Sequence, residues 1–426
     1  MIDAKYIQCN FCKTKISLRF QMGHFNIPFD ICCPECGVHI YGFREIEKGN
    51  VFSINNAQEI DCNIDDINYY SDFSIELPHR KVQRFISIDK LIDDGFSPFM
   101  SMVGMFDGDS YFKLLQRMLN LLHFREHKWT DTLPLYDLYF NKKVELTADS
   151  LLKFNSGYVI KNELDAMMAL HQITVLGLNS ILPTGSLGCF SNYATQIFKT
   201  LKFSDVNLLI QCVGHKEYFE SVSKRLIKIY SRWIKEFEKY IPVVMLSLGH
   251  IFDKLDKEAY GIATTSFDDM KSFYADSYEL ILEMVDIAVG LNNMVVRGNY
   301  NNFSPEAGAK DFETYKKQAK SERIKSLIES EPFSQSIKMD RHVRNAIAHY
   351  NYEFDPITQK IKFIDKFKDN KNTVEMYLVD LAVLCYENIV ILVYLDELLY
   401  SLRKIDYIKD GMVPNIKFIR NDGQKG

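Results

Sequence analysis

The sequence has few of the residues that punctuate or loosen a chain, with 11 prolines and 20 glycines among 426 residues. It also has no low-complexity tract and no internal repeat. With 47% hydrophobic and 25% charged residues, this excludes a disordered or fibrous protein. Charge of one sign is not in excess either. A formal net charge of -5 provides no global basic field, so any nucleic-acid contact must come from a local patch or a closed channel. No apolar run reaches the roughly 20 nearly uncharged residues of a membrane span. The most apolar stretch, residues 379–395, is interrupted by Asp380, Glu387 and Asn388 and is expected to be a buried core helix. The opening residues MIDAKYIQCN are polar and include an acid, unlike a secretory signal. A cytoplasmic protein with no membrane partner is expected.

Several motifs of catalysis are absent as well. There is no phosphate-binding P-loop, no H-E-x-x-H and no dinucleotide fingerprint. Gly185-Ser186-Leu187-Gly188 lacks the order of a nucleophile elbow, and Asp107-Gly108-Asp109 has no calcium-loop continuation, so both read as loops.

Cysteine is sparse except at one end. Of nine cysteines, five lie within the first 36 residues, and four of these form Cys9-x-x-Cys12, a gap of twenty residues, then Cys33-x-x-Cys36 followed by Gly37. Disulfide scaffolds are cysteine-dense along their whole length, so one metal site in a reducing compartment fits better. Four thiolates at about 2.3 Å in a tetrahedron suit Zn²⁺, and four protein ligands close the site, which makes the ion structural rather than catalytic. A unit this small has too little core to fold without such a staple. The segment resembles a zinc ribbon. Cys32 is the spare thiol, a pairing of Cys32 with Cys36 is an alternative, and His24 and His39 are substitute ligands.

The pattern along the chain is a small β unit followed by a long helical body. Residues 1–48 form the ribbon, and 49–97 are a connector with short strands, one of them near 73–77. Residues 98–205 are a helical middle region that would sense a trigger or hold the protein silent. A helical domain over 206–405 and a tail over 406–426 complete the chain. Helices are expected near 215–240, 243–256, 267–296, 308–330, 335–350 and 373–403, with a β-hairpin turning at Asp355-Pro356 between the last two. The fold class is mainly α.

The last-but-one helix carries Asp340-Arg341-His342-Val343-Arg344-Asn345-Ala346-Ile347-Ala348-His349-Tyr350. Apolar positions recur at three and four, and Asp340 is a candidate N-cap. Arg344 and His349 diverge by about 140° around the axis but lie only about 7.5 Å apart along it. Both can border one cleft, with Asn345 between them on the polar side. A histidine with an ordinary pKa near 6.5 can exchange a proton with a 2′-OH or a leaving 5′-oxygen. An arginine fork can hold the phosphate and neutralise charge as it develops. These residue types suit RNA cleavage without a metal, and two copies meeting on a two-fold axis would supply a second proton donor.

The string Arg344-Asn345-x-x-x-His349, followed by an aromatic residue, a hairpin and a long helix, resembles the motif of the HEPN superfamily of ribonucleases. The resemblance implies a helical-bundle body covering about 205–405 that forms a homodimer and cuts RNA without a catalytic metal. It implies products with 2′,3′-cyclic phosphate and 5′-OH ends. His349 would be the acid/base, Arg344 would stabilise the transition state, and Asn345 would orient either of them or the phosphate. At family level it also suggests bacterial anti-phage defence or a toxin-like role.

Weaker signals surround this core. Arg341 and His342 are candidate phosphate contacts. Lys224, Lys228 and Arg232 form a basic helical stripe that could follow an RNA backbone, although Glu236 and Glu238 dilute it and an ordinary solvated helix face explains it better. The competing reading of the whole chain is a non-catalytic zinc-ribbon and helical module that binds nucleic acid or a partner protein. A regulatory subunit whose activity comes from a partner protein is the third.

Overall fold

The structure is a computed structural model that describes residues 2–21, 23–45, 51–93, 98–154, 158–327, 341–367 and 370–415. The chain is mainly α, with three small sheets among the described residues. Its contacts divide it into two units, neither continuous in sequence. The first comprises Met1–Leu119, Arg232–Tyr278 and Met339–Ile389, and the second comprises Asn120–Ser231, Glu279–Lys338 and Val390–Gly426. The sequence pattern suggested consecutive domains instead. The chain passes between units inside long helices such as Phe267–Arg297 and Leu378–Lys409, and periodicity does not mark such crossings.

The first unit begins with β1 (Ile2–Cys9) and β2 (Lys15–Gln21), paired antiparallel, then β3 (Ile27–Cys32) and β4 (His39–Arg44). The segment expected as a connector supplies β5 (Phe52–Asn55), β6 (Ala57–Glu59), β7 (Tyr69–Phe73) and β8 (His79–Arg84). β5 pairs with β4, while β6 and β7 flank the β1–β2 pair on either side. With the short β9 (Tyr260–Gly261), the larger sheet runs β6-β1-β2-β7-β8-β9. Ribbon and connector therefore fold as one β-rich body. The strand expected near 73–77 ends at Phe73.

The body holds together on both faces of β2. Ile16, Leu18 and Phe20 are fully buried, and Phe20 stacks on Phe73 with ring centroids 5.2 Å apart. Arg19 is also buried, because it faces Asp72 in the register of β7 and pairs with it at 3.1 Å. A buried charge without such a partner would be costly. Gly42 has no substitute: a Cβ there would sit 1.9 Å from the Ser53 carbonyl oxygen across β4–β5.

Near the end of this unit lie the helix Arg341–Ala348 and a meander of β10 (Tyr352–Asp355), β11 (Lys360–Phe367) and β12 (Asn370–Tyr377). The expected hairpin is present as β10–β11, and a third strand follows it. That strand takes the residues expected to open the last helix, which starts at Leu378 and runs to Lys409. The helix is long and apolar enough to cross a membrane by length and composition, and 67% of its most apolar window is buried inside the molecule. Gln359 ties the meander to β9, accepting from the Ile262 N–H at 3.0 Å and donating to its carbonyl at 2.7 Å. Its side chain thus acts as a piece of strand.

In the second unit the helices Thr130–Phe140, Val144–Phe154 and Glu163–Leu178 pack together. Asn162 caps the last of these by accepting from the Asp165 N–H at 2.9 Å. The helix expected over 308–330 is broken, over its described residues to 327, into short pieces, Phe312–Lys316, Lys320–Arg323 and a single turn at Ile324–Ser326, and residues 328–330 lie outside the described residues.

Candidate functional site

Two places in the first unit gather side chains that can do chemistry. The first is the cysteine cluster. Cys9 ends β1 and the chain turns back at once: the Lys13 N–H reaches the Cys9 carbonyl at 3.1 Å, with Lys13 at φ 65°. Cys33 opens a matching turn, in which the Gly37 N–H reaches the Cys33 carbonyl at 2.8 Å with Gly37 at φ 73°. Glycine takes this backbone freely and lysine does so at a cost. The two turns bring the sulfurs of Cys9, Cys12, Cys33 and Cys36 within 4.8 Å of one another, with Cys9–Cys36 at 3.7 Å and Cys12–Cys33 at 3.4 Å.

A tetrahedron with Zn–S bonds of about 2.3 Å has sulfurs about 3.8 Å apart, so the cluster is compatible with a structural zinc. Burial pushes the Cys33 thiol up to about 12. Burial opposes ionisation of Cys12 too, yet hydrogen bonds from Thr14 bring its thiol down to about 6. Four crowded sulfurs in such unlike surroundings need a cation before all can be thiolates. The spare Cys32 is buried, its thiol is pushed up to about 12 by burial, and it stands outside the cluster. His39, a candidate substitute ligand, faces Asp30 at 3.1 Å instead.

The second place is the motif helix. Arg341–Ala348 buries Val343, Ala346 and Ile347, while its other side faces outward. Asp340, the expected N-cap, and residues 335–339 lie outside the described residues. The C-terminus is sharply built: the Tyr350 N–H reaches the Ile347 carbonyl at 3.2 Å and the Asn351 N–H reaches that of Ala346 at 2.9 Å. This is the Schellman pattern, with His349 as the last half-helical residue. The left-handed position after it, usually glycine, is Tyr350 at φ 55°. Its ring is 81% exposed beside an exposed His349.

The polar side of the helix is anchored by a residue that motif reading missed. Asp365 Oδ2 accepts from His342 Nδ1 at 2.7 Å and from Asn345 Nδ2 at 3.3 Å. Arg344 Nη1 donates to the Asn345 Oδ1 at 3.3 Å, so a chain of polar contacts links Asp365, Asn345 and Arg344. Asp365 lies on β11, on the side of Ile361 and Phe363, and all three are buried. An acid at the third inward position of Lys-Ile-Lys-Phe-Ile-Asp was the available signal, since a buried carboxylate requires donors.

Arg341 is exposed, and His342, assigned only as a weak phosphate contact, is half-buried by Asp365. The basic stripe is divided between the two units. Lys224 pairs with Glu220 at 2.6 Å, and Lys224 and Lys228 belong to the second unit. Arg232, in the first, is held by Asp276 at 3.1 Å and by the Asp269 carbonyl at 3.2 Å. Compared with known proteins, the chain matches no family model, no curated sequence and no solved structure.

Proposed function

We propose that the protein is a metal-independent endoribonuclease of the HEPN type, with Arg344, Asn345 and His349 as its reacting centre and a homodimer as its working form. The observation that supports this most is the division of labour on one helix. Asn345 and His342 are tied to Asp365, while His349 stands exposed at the helix end. A proton-transfer group needs access to substrate, and a positioning group needs an anchor.

His349 takes the 2′-OH proton of the nucleotide 5′ to the cut. The 2′-oxygen attacks phosphorus, and the bond to the 5′-oxygen breaks. Arg344 holds the phosphate and offsets the charge that accumulates on its oxygens. Protonation of the leaving oxygen falls to a second donor, for which His349 of the other copy is the natural source. Tyr350 offers an exposed ring on which a splayed base can stack. Cys9, Cys12, Cys33 and Cys36 would hold a structural zinc, which contributes folding rather than chemistry. A bacterial defence or toxin-like setting follows from the family resemblance alone.

The test is cleavage of end-labelled RNA by the purified full chain in EDTA, with zinc content measured in the same sample. Wild type should cut and His349→Ala should not, and the ends should be 2′,3′-cyclic phosphate and 5′-OH. Equal cutting by both proteins, or 3′-OH ends, sinks the reading. RNA that binds without being cut would point to the non-catalytic module instead.

A further inference from the structure

The second unit contains a cavity of about 550 Å³, within the range of small-molecule sites at about 300–1,000 Å³. It lies against the end of the helix Ser110–Phe124, the π-helical turn Arg125–Trp129 that continues it, and the helix Glu163–Leu178. Nothing in the proposed nuclease chemistry uses it.

Its chemistry is one-sided. Among the described lining residues are His123 and Lys128 but no carboxylate, in a chain whose net charge is -5. Lys128 is exposed and has no ion-pair partner among the described residues. Gln172 accepts the Tyr158 hydroxyl at 3.2 Å on its oxygen, so its amide N–H groups are left for a ligand. Phe124, Phe154 and Tyr158 supply flat apolar surface. By contrast, the cavity of about 530 Å³ over the meander in the first unit neutralises itself, with Lys257 on Asp380 at 2.7 Å and Lys362 facing Glu375 at 3.9 Å.

The wall is specially built. A π-helical turn is uncommon and recurs at functional sites; here it carries Lys128, and Trp129 is buried behind it. Gly177 permits close packing of Phe124, because a Cβ there would lie 2.3 Å from that ring. A glycine that seats an aromatic ring in a cavity wall shapes the cavity.

We infer that this cavity binds a small anion of the nucleoside monophosphate class, with Lys128 and His123 at the phosphate, Gln172 at a base edge, and the aromatic rings against the base. Phosphate needs cations and no competing acid. A base needs amide groups and flat apolar surface. The cavity offers both at the size of one such molecule.

The experiment is calorimetric titration of the full chain with each of the four ribonucleoside 5′-monophosphates, with adenosine and inorganic phosphate as separate arms. At least one nucleotide should bind once per chain, and should bind at least tenfold tighter than either component alone. Lys128→Glu should weaken it at least tenfold, and Leu176→Trp, at an exposed lining position, should do the same by filling the cavity. No saturable binding of any of the four, tight binding of phosphate alone, or unchanged binding by both cavity variants overturns the inference. The readout involves no RNA, so its failure leaves the nuclease reading standing, and the reverse also holds.

Discussion

Asp365 and His342 are 23 residues apart in sequence and 2.7 Å apart in space, joined by a hydrogen bond from the imidazole Nδ1 to a carboxylate that is 8% exposed. The same carboxylate oxygen takes the Asn345 amide. One acid on a strand thereby fixes two polar side chains on the helix that carries Arg344 and His349.

Removing that acid should loosen the polar side of the helix without dissolving its apolar side. Asp365→Ala leaves two donors without their acceptor, at a cost of about 1–3 kcal/mol. Thermal denaturation should show a lower Tm, and RNA cleavage should fall about tenfold or more through misplacement of Asn345 and Arg344. Cleavage equal to wild type would show that Asp365 serves packing alone.

Zinc should be inseparable from the β-rich body. Cys9 ends β1 and Cys33 follows β3, and these strands belong to two different sheets. Cys33→Ser should therefore lower bound zinc from about one per chain toward none and lower Tm. Elemental analysis and a thermal melt check this together. Full zinc content in the variant would refute the four-cysteine site.

Acid should weaken the first unit through His79. The residue is 4% exposed, its ring stacks on Phe73 at 5.7 Å, and burial holds its pKa down from 6.5 to about 4. Because the native value lies below the unfolded one, the unfolded chain takes up the proton first. The contribution of His79 is therefore complete above about pH 6.5 and falls as pH drops toward 4, with about 2 kcal/mol of it lost by pH 5. Urea denaturation at pH 7 and pH 5 should show stability changing with acid less favourably in wild type than in His79→Gln, since the buried Asp72, its pKa raised to about 6 by burial, acts in the opposite sense in both. Equal changes would exclude His79 as the source.

Tyr350 should trade stability for substrate. It occupies a left-handed position at φ 55° where glycine is at ease. Tyr350→Gly should leave stability unchanged or raise it by up to about 1 kcal/mol. RNA affinity should drop several-fold with the ring gone. Unchanged affinity in a binding titration would remove Tyr350 from the substrate contact.

What could be read directly from the sequence is local. Two Cys-x-x-Cys turns need only a few residues each to aim their sulfurs. The spacing of Val343, Ala346 and Ile347 sets which side of the helix is buried, and Asp355-Pro356 marks its own turn. In each case the chemistry lies within a few residues, so residue type and spacing suffice. Tertiary structure alone decided the rest: that β6 and β7 flank β1 and β2, that Lys-Asn-Thr-Val-Glu continues a sheet instead of a helix, that two interleaved units share the chain, and that Asp365 lies under His342. Backbone hydrogen bonds carry no residue code, so alternation shows that a strand exists but not which strand it joins. The partner of a buried acid depends on register across strands, and register is set by the whole core.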